Sequence, residues 1–315
     1  MKIIFFGLGA IGARHAKLIA DNYGHQLFAF RSSSDREKND LDIQEIFDWN
    51  SVEKIRPDIA FITNPTGMHM GTALECAKRG MHLFIEKPLS NSMEGVEELE
   101  KICDKKGLTA YVAYCMRFHP VMDKLKGLLN GVKVLHVRSV SSSYLPEWRS
   151  MSDWRRSYSS NRNMGGGVIL DLSHELDYLE YLFSPIKCLS GSCGRMADIT
   201  VDTEDYADIV FSLENGVKGI MHLNYLSHFK ERKLIVDHED GYIIGDFFNN
   251  KVTVCSGKGK NVSVVDPGVN NMYLDQLKYF FDHIGVKGVK STLNLGDSRD
   301  LLKKIVDFKK SCFVL

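Results

Sequence analysis

The sequence lacks a charge surplus of either sign. Lys and Arg number 40 and Asp and Glu number 40, so the formal net charge is zero. That excludes a dedicated nucleic-acid surface, which needs excess cations to neutralise phosphates. It also lacks a cysteine framework. Seven cysteines, at positions 76, 103, 115, 188, 193, 255 and 312, form no CxxC pair and are odd in number. Neither a disulfide framework nor a zinc site is expected; free buried thiols in a reducing, cytoplasmic compartment are. Histidines 25, 82, 119, 136, 222, 228, 238 and 283 form no HxxH-type set, so no metal is expected. No stretch approaches the ~18 apolar residues of a membrane span, and no membrane partner is expected. Lys2 followed by Ile3–Phe6 and small residues imitates a signal peptide, but three glycines at fixed spacing and a single lysine argue against one. There are no repeats, low-complexity tracts or flexible linkers.

What remains is ordinary globular protein: 44% apolar and 25% charged residues in a chain of 315. At ~150 residues per domain this suggests two domains. The first third alternates short apolar β-rich runs (Lys2–Phe6, Gln26–Phe30, Asp58–Thr63, His82–Ile85, Thr109–Tyr114) with helical segments (Ile11–Asn22, Met70–Gly80, Met93–Lys106). Such alternation implies a parallel sheet with right-handed crossovers. After about Pro120 the grammar becomes antiparallel, with strands over Val132–Ser143, Ala207–Leu213, Gly219–Leu226, Lys233–Asp237, Tyr242–Phe247 and Lys251–Ser256. One long helix is expected over Val168–Phe183, and two more near Asn271–His283 and Asp297–Lys310. The fold class is α/β: an N-terminal Rossmann doubly wound parallel sheet (1–119), then an α+β domain with a largely antiparallel open sheet (120–315). The C-terminal helix could pack back on the first domain.

Gly7-Leu8-Gly9-Ala10-Ile11-Gly12 is a GxGxxG loop that follows a buried strand and opens a helix. That context is the dinucleotide fingerprint: Gly7 for the turn, Gly9 for pyrophosphate approach, Gly12 for close packing, and a helix N-terminus facing the anion through Ala10 and Ile11. The second strand ends without the usual carboxylate; Arg31 and Ser32 stand there instead. An arginine at that place suits a 2′-phosphate, so NADP is expected over NAD, the alternative being a solvated Arg31 with Asp35 on the ribose.

Glu86-Lys87-Pro88 ends the His82–Ile85 strand, and ligands bind outside the carboxyl ends of parallel strands. A lysine there can exchange a proton with a hydroxyl or hold developing oxygen charge. With the GLGAIG loop, the Asn64-Pro65-Thr66-Gly67-Met68-His69 turn, Arg117-Phe118-His119-Pro120 and the glycine-rich helix below, the chain resembles the glucose–fructose oxidoreductase / inositol dehydrogenase / MocA family. The resemblance implies cofactor contacts from Asn64, Pro65, His69, Glu86 and Lys87, a cis bond to Pro88, and a homodimer or homotetramer through the C-terminal sheet.

Gly165-Gly166-Gly167 leads into a segment whose Asp171, His174 and Tyr178 share one helical face. No Lys or Arg occurs between Val168 and Pro185. It reads as an acid/base stripe in which His174, oriented by a carboxylate, exchanges a proton with substrate, or else as a solvated acidic face. The family pattern is approximately GGGxLxDxGxHxxD, and here one residue is missing between Asp171 and His174. A local bulge would return His174 to its place; otherwise Asp171 or Tyr178 inherits the role. Upstream, Trp148, Arg149, Arg155, Arg156 and Tyr158 form an aromatic–arginine segment. It suits capture of an anionic or nucleotide-linked sugar, or is a loop pinned by its aromatics. Arg117 is a further substrate candidate.

The expected activity is hydride transfer between nicotinamide and a CH–OH carbon of a sugar, sugar derivative or cyclitol, with Lys87, His174 and Asp171 as catalytic candidates. Two rivals are a non-catalytic sugar sensor that binds dinucleotide and an NAD-dependent glycoside hydrolase of the same fold. Lys87 and His174 argue against the first, and Arg31 against the second.

Overall fold

The computed structural model describes residues 1–315 except 33–38, 40, 42, 149–152, 258, 267, 269, 287–294 and 313–315. It divides into two compact units. The first comprises Met1–Ala113 with Gln276–Leu302, and the second Tyr114–Asp275 with Lys303–Leu315.

In the first unit, strands β1 (Lys2–Phe6), β2 (Gln26–Phe30), β3 (Gln44–Ile46), β4 (Ile59–Ile62), β5 (His82–Glu86) and β6 (Ala110–Ala113) form one parallel sheet. Its order is β3-β2-β1-β4-β5-β6, with the switch point between β1 and β4. The crossovers carry helices α1 (Ala10–Asn22), α2 (Trp49–Ile55), α3 (Thr66–Lys78) and α4 (Val96–Lys106). The strands are apolar throughout because helices cover both faces: Ile3, Ile4, Phe5 and Ile59 through Ile62 are fully buried. Phe61 stacks on Phe84 at 4.4 Å, and Phe280 meets both rings edge-on. Short elements such as β3 and α2 carry too few residues to show a period and escape the sequence reading. Helix α3 starts at Thr66, four residues before the expected Met70, because Pro65 serves as its N-cap.

The second unit holds α5 (Pro120–Leu129), β7 (Val134–Ser142), α6 (Val168–Asp171) and α7 (His174–Leu182). Strands β8 (Ile186–Gly194), β9 (Tyr206–Leu213), β10 (Lys218–Asn224), β11 (Glu231–His238), β12 (Gly241–Asp246), β13 (Lys251–Ser256) and β14 (Gly259–Val264) follow. The eight strands pair in the order β14-β13-β12-β11-β7-β10-β9-β8, antiparallel except for β7 with β10. Helices α8 (Asn271–His283) and α9 (Leu295–Ser311) close the chain. β8 and β14 were not expected; neither shows a clean alternation of buried and exposed residues.

Two expectations need correction. The helix over 168–183 is two helices, broken at Leu172 and Ser173. The cysteines are not all free: Cys193 and Cys312, 119 positions apart, form a disulfide. Sequence spacing cannot show a pair that only the packing of β8 and the chain end brings together. Of the five free thiols, Cys188 is exposed and Cys255 is half-buried, while Cys76, Cys103 and Cys115 are buried.

Candidate active site

The glycine loop, the Asn64 turn and the Lys87 turn leave the carboxyl ends of three neighbouring strands. Phe6 is level with Ile62, and Ile62 with Ile85. Gly7 has φ +106°, and a Cβ on it would lie 2.7 Å from the Asn64 backbone nitrogen. A Cβ on Gly12 would lie 2.1 Å from the Gly7 carbonyl oxygen, so loop and helix close only with glycine there. Gly9, by contrast, faces open space, with nothing within 4 Å of a Cβ. It caps α1 without any side-chain hydrogen bond, and the first turn holds no acid. Ala10 is exposed and Ile11 half-buried. The first N–H groups of α1 and its dipole therefore face an unobstructed site, which fits a pyrophosphate.

At the end of β2, Arg31 is not a free cation. The β2–β3 pairing brings Glu45 beside it, and Arg31 Nη1 donates to Glu45 Oε1 at 2.8 Å. Glu45 Oε1 also accepts from the Asn39 backbone and side-chain nitrogens. A carboxylate thus stands at the strand end after all, supplied by the next strand; Ser32 adjoins it, and Asp35 lies outside the described residues.

Around Lys87 two buried histidines meet the chain. His15 of α1 places Nε2 2.8 Å from Glu86 Oε1, and the Lys87 N–H donates to Glu86 Oε2 at 3.2 Å. His69 of α3 places Nδ1 2.9 Å from the Pro88 carbonyl oxygen and Nε2 2.9 Å from the Asn64 carbonyl oxygen. Pro65 precedes that helix, and the Lys87–Pro88 bond is cis. Lys87 itself is half-buried.

In the second unit, α6 and α7 do not form a solvated acidic face. Asp171, His174, Glu175, Asp177 and Tyr178 are all buried. The cations missing from the segment come from elsewhere in the unit. Arg117 grips Asp177 through Nε and Nη2 at 2.9 and 2.7 Å, so its fork is engaged. Arg232 grips Glu175 at 2.6 and 3.1 Å, and Lys304 donates to Glu180 at 2.6 Å. The Tyr225 hydroxyl donates to Asp171 Oδ2 at 2.7 Å. Burial pushes the Tyr225 phenol well above its ordinary pKa, which keeps it a donor. Tyr178 is fully buried with its hydroxyl 2.8 Å from Ser139 Oγ, and it has no surface left for a ligand.

His174, 8% exposed, meets the Tyr114 ring edge-on at 5.6 Å. Trp148 packs edge-on against Tyr225 at 5.2 Å and donates from Nε1 to Ser143. Asp171, Tyr225 and Trp148 thus form one connected wall. The rest of the aromatic–arginine segment is anchored: Trp154 donates to the Ile199 carbonyl, and Arg155 stacks on Trp154 at 4.1 Å while facing Asp153. Arg156 is exposed, Tyr158 half-buried, and Arg149 lies outside the described residues. Tyr225, Arg232, Glu45 and His15 escaped the sequence reading. Only His15 left a signal, as a polar residue on the buried face of α1 beside Ala16 and Ile19. Among the described residues no cluster of three His, Cys, Asp or Glu could hold a metal. No helix among them is long and apolar enough to cross a membrane.

The family of oxidoreductases with an NAD-binding Rossmann fold matches residues 1–114, and the GFO/IDH/MocA C-terminal domain matches residues 132–244. The chain is 23% identical over 320 residues to scyllo-inositol 2-dehydrogenase (NAD(+)) of Bacillus subtilis, covering 94% of this chain and 91% of that protein. It is 21% identical over 249 residues to 2,7-anhydro-N-acetylneuraminate hydratase of Mediterraneibacter gnavus, covering 75% of this chain but only 65% of that one. Among solved structures, an oxidoreductase from Agrobacterium radiobacter, in complex with NAD+, L-tartaric acid and magnesium, superposes with a TM-score of 0.84. The two are 16% identical, with 99% of this chain and 96% of that one covered. With both of its domains matched by the family's own, and an open glycine loop beside a lysine turn on one sheet edge, the chain belongs to the Gfo/Idh/MocA family of NAD(P)-dependent oxidoreductases.

Proposed function

We propose that this protein is a dehydrogenase or reductase acting on one CH–OH carbon of a cyclic polyol, sugar or sugar derivative. The observation that carries the reading is the placement of Lys87 on the same sheet edge as the uncapped start of α1. NAD(P), when bound, accepts or returns a hydride. Gly9, Ala10 and Ile11 hold its pyrophosphate through backbone N–H groups. Asn64, Pro65 and the Glu86–Lys87 turn shape the floor of the site.

Lys87 Nζ takes up the hydroxyl proton in oxidation and returns it in reduction, while its charge stabilises the oxygen in between. Asp171, held by Tyr225, accepts hydrogen bonds from substrate hydroxyls and fixes their orientation. His174 is the second proton carrier, acting from the start of α7, where the helix break compensates for the missing residue. Trp148 supplies an aromatic edge for a ring. Arg155, Arg156 and Arg149 stay secondary, and Arg117 and Tyr178 serve the fold.

For the cofactor we propose NADP over NAD. Arg31 can fork onto a 2′-phosphate, and Glu45 beside it works against the same phosphate. We also propose a homodimer or homotetramer through the second unit's sheet, in a cytoplasmic protein. Support comes from Val210 and Ile220, which stand opposite each other on β9 and β10 and are 58% and 49% exposed. Light scattering on the Ile220→Lys variant tests it; an unchanged mass removes this face as the interface.

The activity is tested by incubating the protein with NADP+ or NAD+ and scyllo-inositol, myo-inositol, D-xylose or a UDP-N-acetylhexosamine. Net formation of reduced cofactor supports the reading. Product without net reduction favours the redox-neutral reading that the hydratase relative suggests. Cofactor binding without any product favours a sensor.

A further inference from the structure

Lys87 sits in a turn, and turns are the mobile part of a parallel sheet. A proton carrier must nevertheless be held to a fraction of an ångström. The structure holds this turn from both ends, and each holder is a histidine buried beneath it. At the near end, His15 is 0% exposed, and its Nε2 lies 2.8 Å from Glu86 Oε1. The other oxygen of the same carboxylate accepts the Lys87 N–H at 3.2 Å. Glu86 therefore links the α1 helix directly to the backbone of Lys87. At the far end, His69 is 1% exposed, and its Nδ1 lies 2.9 Å from the carbonyl oxygen of Pro88. Its Nε2 lies 2.9 Å from the Asn64 carbonyl oxygen, so the ring sits between the turn after β5 and the turn after β4.

We infer that His15 and His69 form a two-ended clamp that positions Lys87 for proton exchange. The inference rests on the assignment of Lys87 as the proton carrier. The two histidines are positioning residues: by this geometry neither meets the substrate, and both act through the backbone that carries the lysine. Both acceptors facing His69 are carbonyl oxygens, which take hydrogen bonds only from N–H, and the neutral ring that burial favours carries one N–H, so the clamp uses the Nδ1–H tautomer, which donates to Pro88. The two contacts can therefore be separated by amides. Asparagine puts its NH₂ near the place of Nδ1 and can keep the Pro88 bond. Glutamine puts its NH₂ near the place of Nε2 and can reach the Asn64 carbonyl. Only the Pro88 bond touches the turn of Lys87. At position 15 the contact runs through Nε2, so glutamine is the conservative variant there.

The test uses the full-length protein and five variants: His69→Leu, His69→Asn, His69→Gln, His15→Gln and Lys87→Met. Hydrogen exchange over residues 86–90 is read first, without substrate. His69→Leu is expected to speed exchange there by about tenfold, with His69→Asn restoring protection and His69→Gln failing to restore it. Turnover is then read on the best polyol of the panel above, scyllo-inositol or D-xylose among them. His69→Leu should lower kcat by about tenfold or more with KM and cofactor affinity held within about threefold. His69→Asn and His15→Gln should return kcat to within about threefold of the parent.

Unchanged exchange in His69→Leu overturns the clamp, whatever the substrate. So does faster exchange with unchanged kcat while Lys87→Met abolishes turnover, and so does rescue by glutamine rather than asparagine at position 69. Full turnover by Lys87→Met overturns instead the assignment of Lys87, and leaves the exchange result to judge the clamp.

Discussion

Helix α1 begins at Gly9 with no side-chain cap, no acid in its first turn and open space over the glycine. Helix α7 begins at Ser173 with Glu175 and Asp177 in its first turn, both buried against arginines from distant parts of the unit. Both are helix N-termini with the same dipole, but at the start of α7 the Glu175 N–H already donates to the Leu172 carbonyl at 3.1 Å. One is kept clear and the other is filled by its own chain. A ligand for the first must come from solution, and an anion is the natural one. The second is finished as it stands, and Glu175 and Asp177 hold the fold through Arg232 and Arg117.

The comparison can be broken by substitution. The largest effect is expected from Gly12→Val. Its Cβ would sit 2.1 Å from the Gly7 carbonyl oxygen and 2.7 Å from Thr63 Oγ1, and no flexible neighbour can give way. Dinucleotide binding should be lost and the first unit should melt at lower temperature by calorimetry. Gly9→Ala, with nothing in its way, should melt normally and lose only cofactor affinity. If both variants behave alike, the open start of α1 is not what the site uses.

Next comes Glu175→Gln, which leaves the Arg232 guanidinium buried without its carboxylate. Removal of one partner from such a pair costs roughly 3–5 kcal/mol, readable by urea titration. A cost below about 1 kcal/mol would mean that α7 is far less closed than its burial indicates.

A smaller effect is expected from acid. His119 caps α5, its Nδ1 accepting the Val121 N–H at 3.2 Å, a role open only to the neutral ring. Burial, helped by the nearby Arg232, lowers its pKa to about 4 from 6.5. The unfolded chain therefore binds this proton first. The stabilisation is complete above about pH 6.5 and fades as pH falls toward about 4, by about 3 kcal/mol. His119→Asn should flatten that part of the stability profile; a profile unchanged by the substitution would remove His119 as its source.

The smallest change is expected at the far end of the open site. Arg31→Ala should weaken NADP about tenfold and leave NAD within about twofold, by fluorescence titration. Equal losses for both cofactors would mean that Arg31 only supports Glu45 and β3.

The same contrast explains what the sequence could reveal. The parallel sheet, the glycine loop and the Lys87 turn are written locally: strand, turn and helix follow within a few residues, and strand burial leaves continuous apolar runs. The α6–α7 region defeats that kind of reading. Its acidic residues look solvated because their partners, Arg117, Arg232 and Lys304, lie tens of positions or more away. Tyr225 reaches Asp171 across 54 positions, and Glu45 reaches Arg31 across 14 through a strand pairing that no period announces. Helical spacing brought Asp171 and His174 to one face, and the family resemblance favoured a role for them over a solvated stripe. The break at Leu172 and Ser173, where the family pattern is one residue longer, became visible only in three dimensions.

The central claim is that Lys87 moves the proton while the uncapped start of α1 holds the cofactor. Its most direct test is single-turnover hydride transfer from a polyol to NAD(P)+ in Lys87→Met, followed by the absorbance of the reduced nicotinamide. The account predicts a rate lowered by about a hundredfold or more with cofactor affinity within about threefold of the parent. A parental rate in the variant would contradict it.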